Sequence, residues 1–122
     1  MTVTSTVEVD EFIAGLRRCG TEPQIRGNVV VFAVEVPVGP LAGTRIETAV
    51  EMAELAMWPV APPHWVHLPE AVTFTRTNLD RSDCLPGWVR HSRQIVGWGL
   101  GDATEPAQAW LGHVRAVLAE AA

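Results

Sequence analysis

Trp58-Pro59-Val60-Ala61-Pro62-Pro63-His64-Trp65-Val66-His67-Leu68 stands at the middle of the chain. Three prolines within five residues forbid a helix: each lacks a backbone donor, and each ring clashes with a preceding turn. The run suits an extended or polyproline crossing. Behind it, His64 to Leu68 reads as a strand, and Pro69 stops it.

Upstream of the crossing the chain is strand-like. Pro23-Gln24-Ile25-Arg26 leads into the turn signal Gly27-Asn28, and Val29 to Val36 (Val-Val-Val-Phe-Ala-Val-Glu-Val) is rich in β-branched residues. Pro37-Val38-Gly39-Pro40 breaks that run. Residues Thr44 to Met52 then alternate, with Arg45, Glu47 and Ala49 on one side and Thr44, Ile46, Thr48 and Val50 on the other. Connections this short favour an antiparallel meander. Before the strands, Val9 to Gly20 reads as a short helix. Phe12, Ile13, Leu16 and Cys19 share a face, Asp10 and Glu11 suit the first turn, Arg17 and Arg18 the last, and Gly20 is a stop. On that face Cys19 behaves as a small buried hydrophobe.

Downstream, residues 69–100 are polar and rich in glycine and proline, without clear periodicity. They read as a long, ordered surface segment, and loops of that length in compact domains are usually functional. The chain then ends in a helix. Thr104-Glu105-Pro106 places a cap and a first-turn proline, and Trp110, Leu111, Val114, Val117 and Leu118 form one apolar stripe. The expectation is an α+β fold in one domain, 1–122: N-terminal helix, four-stranded antiparallel meander, long loop, C-terminal amphipathic helix.

Composition narrows the function. Apolar residues make up 48%, enough for one core without disulfides or metal. A net charge of −5 argues against a nucleic-acid surface. Residues 1–6 lack the basic start and apolar run of a signal peptide, and no apolar stretch reaches membrane-spanning length, so a cytoplasmic protein with reduced thiols is expected. There are nine Arg and no Lys. A GC-rich genome explains that bias by itself.

The order of these elements, with Trp58-Pro59-Val60-Ala61-Pro62-Pro63 after a three-strand meander, resembles the ubiquitin-conjugating (UBC) fold. In those enzymes an aromatic-Pro-x-x-Pro-Pro segment precedes a fourth strand, then an Asn-bearing loop, then the catalytic Cys with Leu after it and a Trp further on. The matching run here is Thr77-Asn78-Leu79-Asp80-Arg81-Ser82-Asp83-Cys84-Leu85, with Trp88 beyond. The prokaryotic branch called family E is a closer match, through Pro62-Pro63-x-Trp65, Trp88-Val-Arg-His-Ser92-Arg93, Trp98 and the last helix. The sequence departs from the eukaryotic enzymes in having Arg76-Thr77 where they place His-Pro, and in a shorter Asn-to-Cys spacing. The resemblance implies an acyl carrier: Cys84 accepts a ubiquitin-like protein from an adenylating activating enzyme and passes it to a target amine. It implies no cofactor.

The residues admit that chemistry. A thiol attacks as thiolate, and a side-chain amide such as Asn78 can steady the tetrahedral oxyanion, a donor typically worth about 3–4 kcal/mol. A carboxylate or His can take the amine's proton, which makes Asp80, Asp83 and His91 candidates. Each has a plainer role as well. Asn78 can satisfy its own backbone, the two acids can be solvated turn residues, and His91 can be a strut. Asp80 and Asp83 should raise the Cys84 pKa, and Arg81 opposes them. Arg90 and Arg93 can pair with Asp80 or Asp83 and order the loop, with Trp88 and Trp98 as packing anchors. His64 and His67 point to opposite faces of a strand, and no zinc spacing or phosphate loop exists, so no metal site is expected. A surface without lysine would also spare an acyl carrier from modifying itself. The alternative is a catalytically inactive UBC-like module that binds or scaffolds a ubiquitin-like protein.

Overall fold

Residues 6–95, 97–98 and 105–122 are described by a computed structural model. The elements run α1 (Val7–Arg18), β1 (Gln24–Arg26), β2 (Val29–Glu35), β3 (Arg45–Glu51), a 3-10 turn (Met52–Leu55), β4 (Trp65–Pro69), β5 (Leu79–Asp80), β6 (Trp88–Ser92) and α2 (Pro106–Ala119). The fold is α+β, with one antiparallel sheet and a helix near each end of the chain.

α1 begins two residues before the predicted start, because Thr6 caps it: its Oγ1 accepts from the Val9 amide at 3.2 Å. Gly27, at φ +59°, takes the first position of the two-residue hairpin that pairs β1 with β2. α2 opens on Pro106, and the carboxylate of Glu105 before it makes no cap. It binds the Arg18 guanidinium through two 3.1 Å hydrogen bonds, tying the start of α2 to the end of α1. Thr104, the expected cap, lies outside the described residues.

The sheet order is β1-β2-β3-β4-β6-β5. The first four strands are the predicted meander. The expectation of four strands followed by a long loop is corrected, because β6 pairs with β4 along five residues and β5 pairs with β6 outside it. These strands escaped the pattern for a physical reason. β6 turns a histidine inward and a tryptophan outward, which inverts the polarity that alternation normally shows, and β5 is only two residues long.

Strand alternation gives the sheet two unlike faces. The inner face carries Val30, Phe32, Val34, Val50, Val66 and Leu68. It packs under Phe12 and Leu16 of α1 and the Trp110, Leu111, Val114, Val117 and Leu118 stripe of α2, all buried as read. Cys19 is half-buried against this core. The outer face has only a small cluster, Val29, Val31 and Ala49, covered by Leu85 and Trp88. Among the described residues no helix is long and apolar enough to cross a membrane.

Candidate functional site

The sheet register lines up Gln24, Val31, Ala49, His67, Arg90 and Asp80, one from each strand, in a row across the outer face. Arg90 is the hub of that row, with its side chain 13% exposed. Its Nε and Nη2 donate to Asp80 Oδ2 at 3.2 and 2.7 Å. Its Nη1 lies 3.9 Å from Glu51 Oε2 and 3.8 Å from Asp83 Oδ2. The guanidinium also stacks 4.2 Å above the Trp65 ring. One cation thus ties β3, β5 and the 81–87 loop to β6.

Cys84 sits in that loop, half-buried, with Sγ 3.8 Å from the Asp80 carbonyl oxygen. The loop turns sharply before it: Asp83 has φ +55°, a conformation that non-glycine residues seldom hold and that clusters at functional sites. On the other side Leu85 and Trp88 anchor the loop to the outer apolar cluster. Burial pushes the Cys84 thiol up, Arg90 pulls it back, and Asp80, Asp83 and Glu51 push it further up. The thiol therefore stays protonated at neutral pH unless a partner changes its surroundings.

The neighbouring carboxylates differ among themselves. Asp80 is held down to about 2, first by the Arg90 hydrogen bonds and then by the Ser82 amide. Its other oxygen accepts from both Ser82 N and Oγ at 3.0 Å, so both oxygens are engaged. Asp83 is exposed. Glu51 behaves oppositely: burial raises it, repulsion from Asp83 and Glu54 adds to that, and His67 and Arg90 oppose. Sequence reasoning passed over Glu51, although the alternation that put Ala49 on one side of β3 puts Glu51 there too. It also missed Glu54, and it weighed His67 only as a metal ligand. His67 is 1% exposed, with Nε2 3.8 Å from Glu54 Oε2, and Glu54 Oε1 accepts from the His64 and Trp65 amides at 3.1 Å.

The remaining predicted residues divide. Asn78 is exposed; its carbonyl accepts from the Ser92 amide at 2.8 Å, and alternation puts its side chain on the face of Asp80. Trp88 anchors the loop as expected. Trp98 packs on the inner side, 5.7 Å from the Trp58 ring, and its Nε1 donates to the Pro59 carbonyl at 3.1 Å. Arg90 makes the expected pairing, but Arg93 does not. Arg93 donates to the Arg76 carbonyl at 3.1 Å and lies over Phe74. His91 is opposite Val66 and Leu79 in the ladder, so it points to the inner face, away from the face of Arg90 and Asp80. Its Nδ1 meets Thr77 Oγ1 at 2.7 Å. His64 Nε2 meets Ser92 Oγ at 2.6 Å. Among the described residues no three His, Cys, Asp or Glu side chains converge as metal ligands.

What the outer face brings together is a half-buried thiol, one clamped cation, and three carboxylates, of which Asp80 is held down and Glu51 is raised. Such a set can hold an acyl group as a thioester and accept a proton from a nucleophile that attacks it. Comparison with family models, with curated proteins and with solved structures finds no match to this chain.

Proposed function

We propose that this chain is a UBC-like acyl carrier of the cytoplasm. In this reading the Cys84 sulfur attacks the thioester that joins a ubiquitin-like protein to its adenylating activating enzyme. The new C–S bond forms, the enzyme's C–S bond breaks, and the thiol proton passes to the departing thiolate. A target amine then attacks the same carbonyl: a C–N bond forms, the Cys84 C–S bond breaks, and the amine's surplus proton returns the thiolate to thiol. Glu51, desolvated and raised, is better suited than the Arg90-bound Asp80 to relay that proton. The observation that carries the reading is the placement of Cys84 in a polar, strained, half-exposed loop and not in the hydrocarbon of the core.

A second reading has its own support. The polar groups near the thiol are engaged in holding the loop, and His91 faces the other way. That arrangement suits an inactive UBC-like module that binds a ubiquitin-like protein.

One experiment separates the two. The chain is mixed with ATP, an adenylating activating enzyme and its ubiquitin-like protein, then run on a non-reducing gel. The carrier reading expects an adduct that reductant cleaves and that Cys84→Ser abolishes or turns into a reductant-resistant ester. Binding without an adduct, unchanged in Cys84→Ala, overturns it in favour of the module.

A further inference from the structure

Between β5 and β6 the chain runs from Arg81 to Gly87, with Cys84 at its middle. Its backbone is held at the exit, where the Glu70 amide donates to the Gly87 carbonyl and the Trp88 amide to the Leu85 carbonyl, each at 3.0 Å. Among the described residues, no backbone–backbone hydrogen bond outside the helices and strands involves Arg81, Ser82, Asp83 or Cys84. Side chains hold that half of the segment. Arg81 Nη1 donates to Glu70 Oε1 at 2.9 Å, and both side chains are exposed. Asp83 Oδ2, exposed as well, stands 3.8 Å from Arg90 Nη1. Leu85 packs half-buried on Val29, Val31 and Ala49. The sulfur itself reaches back to the Asp80 carbonyl oxygen at 3.8 Å.

Each of these fastenings is weak. Exposed ion pairs contribute little and are screened by salt. The Asp83–Arg90 contact is longer than a hydrogen bond. Leu85 keeps part of its surface in water. Asp83 holds a left-handed backbone, φ +55°, that a released segment need not keep. A segment tied in this way opens locally at far less cost than global unfolding. On opening, the sulfur leaves both the Asp80 carbonyl and the cover of its own loop.

We infer that residues 81–87 form a strap over the outer face, and that its opening limits how fast Cys84 reacts. As a control on acyl transfer the strap rests on the carrier reading. As a property of the fold it does not, because a small thiol reagent reads it with no partner present.

Opening and ionisation leave separate signatures. In a Cys19→Ser background, the rate of iodoacetamide alkylation against pH has a midpoint set by the thiol's ionisation and a high-pH plateau set by access to the thiolate. Glu70→Gln removes the Arg81 fastening, and neither residue is among the groups that chiefly shift the thiol. It should raise the plateau about two- to fivefold, the loss of one exposed ion pair, with the midpoint unchanged. Leu85→Ala, which removes the apolar fastening, should raise the plateau about five- to tenfold. The proposal is overturned if either variant leaves the plateau at its starting value, or if the midpoint moves and the plateau does not. A non-reducing gel without adduct removes the acyl-transfer role and leaves the strap standing, so the two failures are told apart.

Discussion

The inner face of the sheet is closed by Phe12, Leu16, Trp110 and the α2 stripe, all buried, and by little charge. The outer face is closed by Leu85, Trp88 and one guanidinium shared among three carboxylates. Hydrocarbon holds the first, and a salt-bridge hub tethers the second. Apolar packing is insensitive to salt and to a partner's charge, whereas a clamp of partly exposed ions responds to both. The difference gives a rigid layer under the helices and an adjustable one around Cys84.

The contrast is most directly broken with tryptophans. Trp110→Ala should cost about 3–5 kcal/mol, read as a drop in the urea midpoint, because a fully buried ring leaves a cavity. Trp88→Ala, on the half-exposed outer cluster, should cost only about 1–2 kcal/mol. Equal losses would mean that the outer face is a second core.

Acid sharpens the same comparison. The folded pKa of His91, about 4, lies below its ordinary value of 6.5, so the unfolded chain binds the extra proton between those limits. Its contribution is complete above pH 6.5 and is lost as pH falls toward 4, on the order of 3 kcal/mol in all. His113, also pushed down by burial, acts in the same sense, so His91→Phe should flatten only part of the slope. Asp80 follows later: its contribution is present above its ordinary 3.8 and disappears as pH falls through about 2. Urea midpoints at pH 7, 5 and 3 should therefore show the inner-face histidines failing before the Arg90 clamp. A midpoint that stays flat from pH 7 to 5 in the wild type would contradict the buried, neutral His91.

The smallest effect concerns the thiol. In a Cys19→Ser background, the pH midpoint of iodoacetamide alkylation reports Cys84 alone. Asp83→Asn should lower it and Arg90→Met should raise it, because Asp83 pushes the thiol up and Arg90 pulls it down. Shifts of the opposite sign would place these charges elsewhere than around the sulfur.

The sequence made the helices and the first four strands legible because their apolar residues repeat at helical or strand period. Phe12 and Leu16 announce α1, the Val29–Val36 run announces β2, and the Trp110–Leu118 stripe announces α2. β6 stayed hidden because His91 inside and Trp88 outside invert the expected pattern. Within the site, Cys84, Asp80, Asp83 and Arg90 were readable as a local cluster, since they lie within eleven residues. Glu51, Glu54 and Trp65 were not, since pairing between distant strands brings them to Arg90 and His67. The separation of His91 from the clamp was equally invisible, because it follows from assigning residues 88–92 to a strand.

The crossing of the two helices bears on how the chain is made. A methyl on Gly15 would stand 2.9 Å from Ala107 Cβ, so the backbones meet where only hydrogen fits. The two halves of the helical roof thus lie on either side of the whole sheet in chain order. While a ribosome is still adding residues beyond the sixth strand, a twisted plate rich in valine has only half its cover, and it waits several seconds for the rest at ordinary elongation rates. A nascent chain stalled before residue 105 should therefore recruit holdase chaperones that the finished protein ignores.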